Sequence, residues 1–199
     1  IKYDLELGSD YYQRVEATNA NLLAKGLPLK ERTLWLAAST HDNEEAQLLE
    51  VCKNLTGLAK PSLLILAPRH PERFNQVAEL LAAAGVKYVR HSNSAASQAN
   101  LEEAEVYLLD TLGELLNFYP LASLAFVGGS LVPKGGHNIL EAAALGVPVI
   151  TGPYTEDFAE IINDLKQVEA LTQVATTEEL SQAVAGLLTN EKLAQQKLE

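Results

Sequence analysis

The stretch Leu124-Ala125-Phe126-Val127-Gly128-Gly129-Ser130-Leu131-Val132-Pro133-Lys134-Gly135-Gly136-His137-Asn138 runs from an apolar segment through a glycine-rich turn to a helix start. A short apolar run bounded by glycines reads as a strand buried on both faces, the condition of a parallel sheet covered by helices. Asn138 with Glu141 three residues on, and Gly146 just before Pro148, mark the two ends of the helix that follows. Strand, polar turn and helix form one unit, and its repetition decides the fold.

The same unit recurs on either side. Strands are expected at 34–38, 63–67, 87–91, 106–109, 124–127, 148–151 and 169–172. Asp42 with Glu45 forms a capping-box pair ahead of Leu48, Leu49, Cys52 and Leu55. Pro71 opens a helix through Val77, Leu80 and Leu81 that stops at Gly85, and Thr176 with Glu179 opens a last one whose Leu180, Val184, Leu187 and Leu188 share a face. A linker strand at 3–7 and an outer helix at 10–26 lead in, and the Ser/Ala/Asn-rich stretch 92–99 reads as an exposed loop. The expectation is an α/β fold: a single Rossmann-like doubly wound parallel sheet with helices on both faces. Residues 1–30 are the approach and 31–199 the domain proper.

Composition narrows the function. Of 199 residues 47% are hydrophobic, which excludes disorder, and 15 Lys plus Arg against 26 Asp plus Glu give a net charge of −11. That charge repels phosphate backbones and anionic lipid, so nucleic-acid and membrane-surface binding are disfavoured. The single cysteine, Cys52, lies in an apolar-periodic stretch; it can form no internal disulfide, points to a reducing compartment and reads as core filler. No apolar run approaches the ~18 residues of a membrane span. The start at Ile1, without a basic leader or initiator methionine, is the expectation for a fragment, and the acceptor-like tripeptide Asn54-Leu55-Thr56 reads as coincidence.

Ligands of such sheets bind at the carboxyl ends of the strands. Four polar clusters lie there: Ser39-Thr40-His41, Pro68-Arg69-His70-Pro71-Glu72-Arg73, Asp110-Thr111-Leu112-Gly113-Glu114, and the segment from Gly128 to Glu141. In the last, two glycine pairs bracket Lys134 ahead of a helix, the composition of an anion site in which backbone N–H groups and the helix dipole favour negative charge. The alternative reading is a flexible loop whose glycines merely make tight turns. Glu141 either closes a capping box with Asn138 or accepts from ribose hydroxyls, and both readings stay open. Arg69, directly after a buried strand, suits bidentate phosphate contact or a salt bridge to Glu72 or a neighbouring acid. Asp110 and Glu114 follow another strand and are candidates to contact a base or sugar, Glu114 reading equally as a first-turn helix acid. His41 and His70 read more simply as structural hydrogen-bonders. Neither GxGxxG nor GxxxxGK[ST] occurs, nor HExxH, CxxC or Asp-x-Asp, so no metal site is signalled and no cofactor is expected.

The run 126–132 with Gly135-Gly136-His137-Asn138-Ile139-Leu140-Glu141, preceded by Ala37-Ala38-Ser39-Thr40-His41, the Pro68-Arg69-His70-Pro71-Glu72-Arg73-Phe74 segment and Asp110-Thr111-Leu112-Gly113-Glu114-Leu115, closely resembles the C-terminal half of 3-deoxy-D-manno-octulosonic acid (Kdo) transferases. That resemblance implies the C-terminal half of a B-type glycosyltransferase fold, with 31–199 as a nucleotide-sugar-binding domain. It implies inverting, metal-independent transfer of Kdo from CMP-Kdo to lipid A precursor in lipopolysaccharide biosynthesis, at the cytoplasmic face of the Gram-negative inner membrane. By the same resemblance Pro68, Arg69, Leu112, Gly113, Glu114, Asn138, Ile139, Leu140 and Glu141 would contact CMP. Ser39, Thr40, His41, Gly129, Ser130, Lys134, Gly135, Gly136 and His137 are further candidate donor contacts. The general base, acceptor surface and membrane anchor would belong to the N-terminal half, leaving this chain soluble, able to bind donor and without catalytic residues.

The departures from the family pattern are Ile139 for Pro, Asn43 for Gly and Tyr154 for His. The alternatives are a UDP-sugar-using transferase or epimerase of the same fold, and a non-catalytic flavodoxin-like interaction domain.

Overall fold

The computed structural model describes residues 7–27, 29, 31–93, 102–167 and 170–189. Helix α1 (Tyr11–Ala24) is followed by strand β1 (Thr33–Thr40), α2 (Glu44–Asn54), β2 (Ser62–Pro68), α3 (Phe74–Ala83), β3 (Tyr88–Arg90) and β4 (Val106–Leu108). Then come α4 (Leu115–Phe118), β5 (Ala125–Val127), α5 (Leu140–Ala144), β6 (Val149–Thr151), α6 (Ala159–Gln167), β7 (Leu171–Gln173) and α7 (Thr177–Thr189). The expected linker strand at 3–7 and the loop at 92–99 fall wholly or largely outside the described residues.

All seven strands join one sheet in the order β3-β4-β2-β1-β5-β6-β7, and every pairing is parallel. This is the doubly wound α/β sheet that the apolar runs indicate. Alternate residues of β1 feed opposite cores. Leu34, Leu36 and Ala38 pack with Leu22, Tyr107, Phe118 and Ile162 on one face, while Trp35 and Ala37 pack with Leu48, Val77, Phe126 and Val184 on the other. Both β1 faces are buried, and burial of each large apolar side chain contributes about 1.5–3 kcal/mol. Strand order reverses at β1, which lies between β2 and β5. Side chains leaving the carboxyl ends of β1 and β5 therefore flank a crevice.

Several local expectations meet their physical limits here. The Asp42–Glu45 box does not form, because Asn43 enters the left-handed region at φ 68 and no side chain caps α2. A positive φ suits glycine and is tolerated by asparagine, which accounts for Asn43 standing at a glycine position. Pro71 begins a 3-10 turn, with α3 starting only at Phe74. At α7 Thr176 does cap the helix: the Glu179 N–H donates to Thr176 Oγ1 at 3.1 Å, while the Glu179 carboxylate accepts the N–H of Ala175, one residue before the cap, at 2.7 Å. Thr176→Ala is expected to cost about 1 kcal/mol of unfolding free energy. Urea unfolding checks this, with the midpoint falling and the slope unchanged.

Candidate functional site

At the switch point the chain opens into a cleft of about 450 Å³. Ser39 reaches it from the end of β1, Arg69 from the end of β2, Gly113 from the turn after β4, and His137, Asn138 and Glu141 from the segment after β5. Leu115, Leu116 and Phe158 give it an apolar wall. A smaller depression of about 140 Å³, lined by Pro68, Leu112 and again Ser39, Arg69 and Gly113, continues from it. A cleft with a planar cation, an amide and a carboxylate on one side and aliphatic and aromatic carbon on the other suits a ligand with an anionic head and a flat ring.

Local strain shapes the β1 lip. Ser39 has φ 55, and the β1–β2 register shifts between Ala38 and Thr40, so Ser39 is an extra residue turned out of the ladder. The Arg69 N–H restores pairing by donating to the Thr40 carbonyl at 2.9 Å. The Arg69 side chain is exposed, and among the described residues its guanidinium makes no ion pair. The anticipated salt bridge to Glu72 is not made, and the cation stays available to a ligand.

Glu141 is half-buried in the cleft. Burial raises its carboxyl above the ordinary range, against the pull of the Asn138 side chain and of Arg69. Asn138 Oδ1 also accepts the Leu140 N–H at 3.0 Å. The α5 helix that follows is only Leu140–Ala144, so its dipole is small and Arg69 carries the electrostatic burden that the sequence assigned partly to a helix terminus.

The glycine-rich segment differs most from expectation. A Cβ on Gly128 would lie 2.5 Å from the Ser39 carbonyl oxygen, and one on Gly129 would lie 3.0 Å from the His137 ring. A Cβ on Gly135 would meet the Asp157 carboxylate at 2.5 Å, and one on Gly136 the Tyr154 carbonyl at 3.2 Å. The missing side chains admit the protein's own neighbouring atoms, where the sequence suggested a ligand's approach. The amides are spoken for as well: those of Gly129, Ser130 and Leu131 all donate to the carboxylate of Glu44.

Other anticipated contacts turn away from the cleft. Thr40 and Ser130 are fully buried; Thr40 Oγ1 donates to Glu45, and Ser130 Oγ donates to the Val127 carbonyl and accepts the Gly152 N–H. Ile139 buries its side chain in the core, which leaves only its backbone to meet a ligand, and Leu140 is half-buried. Lys134 is exposed and does not line the cleft. Glu114 accepts from the Thr111 hydroxyl, sits 3.2 Å from His91 and lines a separate cavity of about 320 Å³ beyond Gly113. The side chain of Asp110 is fully buried on Arg90 at 2.6 Å and on Ser92. Burial would raise the Asp110 carboxyl, but Ser92 and Arg90 overcome this and hold it below the ordinary range.

Three histidines gather at the lip. His41 Nε2 and His137 Nε2 are 2.7 Å apart, with the rings stacked and the His70 ring edge-on to His41. A 2.7 Å contact between two ring nitrogens requires one donor and one acceptor, so at least one of those nitrogens carries no proton. Burial, then the charges of His137, His70, Lys134 and Arg73, push His41 down to about 4; burial, then Arg69 and His70, push His137 down against the opposing Asp157. Because the folded pKa of His41 is depressed, its contribution to stability is complete above the unfolded value near 6.5 and is lost as pH falls toward about 4. Melting temperature against pH in wild type and His41→Gln checks this, the variant falling less across that window.

Sequence reasoning missed Leu115, Leu116 and Phe158 in the cleft, and it missed Glu44. Among the described residues no group of three His, Cys, Asp or Glu side chains is arranged to hold a metal ion, and no helix is long and apolar enough to cross a membrane.

Comparison with known proteins gives this geometry a context. Residues 41–197 match the family model for glycosyl transferases group 1. The chain is 39% identical over its full length to a 3-deoxy-D-manno-octulosonic acid transferase from Haemophilus influenzae, spanning 44% of that protein. It is 43% identical over 136 residues, 67% of this chain and 31% of the relative, to the enzyme of the same name from Bordetella pertussis. The chain therefore spans less than half the length of these relatives. The crystal structure of the C-terminal CMP-Kdo binding domain of WaaA from Acinetobacter baumannii superimposes with a TM-score of 0.84 at 30% identity, over 94% of this chain and 95% of that domain. A Thermobaculum terrenum O-GlcNAc transferase, 16% identical with a TM-score of 0.53 over 83% of this chain and 30% of that one, shares the fold alone. By fold, by family model and by identity along its whole length, the chain belongs to the group 1 glycosyl transferases, in the family of the 3-deoxy-D-manno-octulosonic acid transferases.

Proposed function

We propose that this chain is the donor-binding half of a transferase that moves Kdo from CMP-Kdo to lipid A precursor. The observation that carries the reading is the Arg69 guanidinium, without an ion pair among the described residues, facing a cleft shared with Asn138 and Glu141 at the sheet's switch point. The similar Acinetobacter domain is a CMP-Kdo binding domain, which supports the choice of nucleotide. Arg69 and the Asn138 turn take the phosphate, Glu141 the ribose hydroxyls, and the Leu115, Leu116 and Phe158 wall the ring. The other half of the protein supplies the general base, the lipid acceptor site and the placement at the cytoplasmic face of the inner membrane.

Chemistry follows from charge flow. When the bond between Kdo and phosphate breaks, negative charge grows on the departing CMP, and a preset cation stabilises it more in the transition state than in the ground state. Arg69 supplies that charge from protein, so the leaving phosphate needs no metal and the reaction no cofactor; inversion at the sugar is taken from the family resemblance alone. Calorimetric titration of the chain with CMP and with UDP, each with and without chelator, tests the proposal. CMP is expected to bind at least about tenfold tighter than UDP, with no effect of chelator. Tighter binding of UDP would favour a UDP-sugar enzyme of the same fold, and binding of neither nucleotide would remove the nucleotide reading for this chain.

A further inference from the structure

Glu44 is a wholly buried acid that makes no ion pair among the described residues; Arg73 pairs with Glu45 and Asp42 instead. Its Oε2 accepts the His41 N–H at 2.9 Å and the Gly129 N–H at 2.8 Å, and its Oε1 accepts the Ser130 and Leu131 N–H groups at 3.0 Å each. A buried carboxylate without partners is strongly disfavoured, whereas one that takes several backbone donors is held in its charged form. Burial raises the Glu44 carboxyl above the ordinary range, and the four amides oppose that rise without reversing it.

The donors come from two chain segments that leave the sheet toward opposite faces. His41 follows β1 and residues 129–131 follow β5; these strands pair side by side at the switch point, but the helix after β1 packs into one core and the helix after β5 into the other. From this anchor the hydrogen bonds run on toward the cleft. The Gly129 carbonyl accepts the Gly136 N–H at 2.9 Å, the next residue is His137, and His137 Nε2 meets His41 Nε2 at 2.7 Å. The His41 N–H returns to Glu44, closing a ring. Gly128 lets this ring close: a Cβ there would stand 2.8 Å from Glu44 Oε2.

We infer that Glu44 is a positioning residue for the donor cleft: its carboxylate fills the amide cradle of residues 129–131 and so fixes His137 and Asn138 where a ligand meets them. The cradle is an internal anion site occupied by the protein's own side chain. It is closed to a phosphate, which is therefore left to Arg69 and the Asn138 turn. The inference deepens the CMP reading above and rests on it for its ligand.

Glu44→Gln keeps the shape but replaces one acceptor oxygen with an NH₂ group that faces N–H donors. In backbone amide spectra of the ligand-free chain, resonances of Gly129, Ser130, Leu131, His137 and Asn138 are expected to move together. CMP affinity is expected to fall by roughly tenfold at a temperature where the variant is fully folded. Leu187→Ala, on the buried face of α7 and not among the residues that line the cleft, serves as the control of comparable destabilisation; it lowers the melting temperature and leaves CMP affinity unchanged. If Glu44→Gln does not fold, Glu44→Asp, which retains the charge one methylene short, is read by the same two measurements. Unmoved His137 and Asn138 resonances, or CMP affinity equal to wild type in a folded Glu44 variant, overturns the inference. Failure of the wild-type chain to bind CMP is a different result; it overturns the CMP reading, and the spectra of the ligand-free variants then decide the positioning role alone.

Discussion

Gly152→Ala is expected to destabilise the domain by about 3 kcal/mol or more, the upper range of overpacking costs. The added Cβ would stand 2.1 Å from the Ser130 carbonyl oxygen, 2.3 Å from the Ser130 carbonyl carbon and 2.6 Å from the Leu131 nitrogen. All three are backbone atoms, so no side chain can swing aside. Neither segment can retreat cheaply. The Gly152 N–H donates to Ser130 Oγ at 2.8 Å, the Gly152 carbonyl accepts from Gln173 Nε2 at 2.9 Å, and the Tyr154 N–H donates to the Ser130 carbonyl at 3.0 Å. The turn after β5 is thus pressed onto the end of β6, and pushing it off would also disturb the amides that Glu44 holds. Thermal unfolding followed by circular dichroism measures the effect. A variant that melts within a degree or two of wild type would contradict the packing described.

Arg69→Ala is expected to do the opposite: little to stability and much to binding. The side chain is exposed and makes no ion pair among the described residues, so its removal leaves no buried group without a partner. A guanidinium bonding a phosphate contributes about 1.5–3 kcal/mol, which corresponds to roughly ten- to over a hundredfold in CMP affinity. Arg69→Lys keeps the charge but loses the planar fork and is expected to recover only part of the loss. Calorimetry at fixed ionic strength separates the three proteins. Equal affinity of wild type and Arg69→Ala, with both folded, would remove Arg69 from the phosphate.

The strands were legible because a parallel strand buried on both faces has to be apolar almost throughout, and the runs at 34–38, 63–67 and 124–127 lie within the observed β1 and β2 and across β5. Strand order was not legible. Nothing local says that β3 lies at the sheet edge beyond β4, yet that placement sets Arg90 beside Leu108 and draws Asp110 to Arg90, away from any ligand. The sheet's geometry, which no single segment encodes, decides which strand-end acids face the crevice.

The candidate site was legible in part for a similar reason. Arg69, Gly113, His137, Asn138 and Glu141 sit at strand ends that the switch point brings together. The glycines after β5 were open to misreading, because the same residues serve a ligand's close approach and a neighbouring chain's. Glu44 did leave a signal. It lies four residues before Leu48 and seven before Val51, both buried, so it occupies the inward stripe of α2. A glutamate on the buried stripe of a helix's first turn needs donors, and the backbone amides of a turn can supply them.

The central claim is that a CMP moiety sits in the cleft between the ends of β1, β2, β4 and β5. Amide resonances followed during titration with CMP, with UMP and UDP as controls, test it most directly, since they report both whether the nucleotide binds and where. The account predicts saturable, CMP-selective shifts at Arg69, Gly113 and residues 135–141, with the amino-terminal ends of the strands undisturbed. Shifts confined to the cavity beside Glu114, or saturation by UDP at lower concentration than CMP, would contradict it.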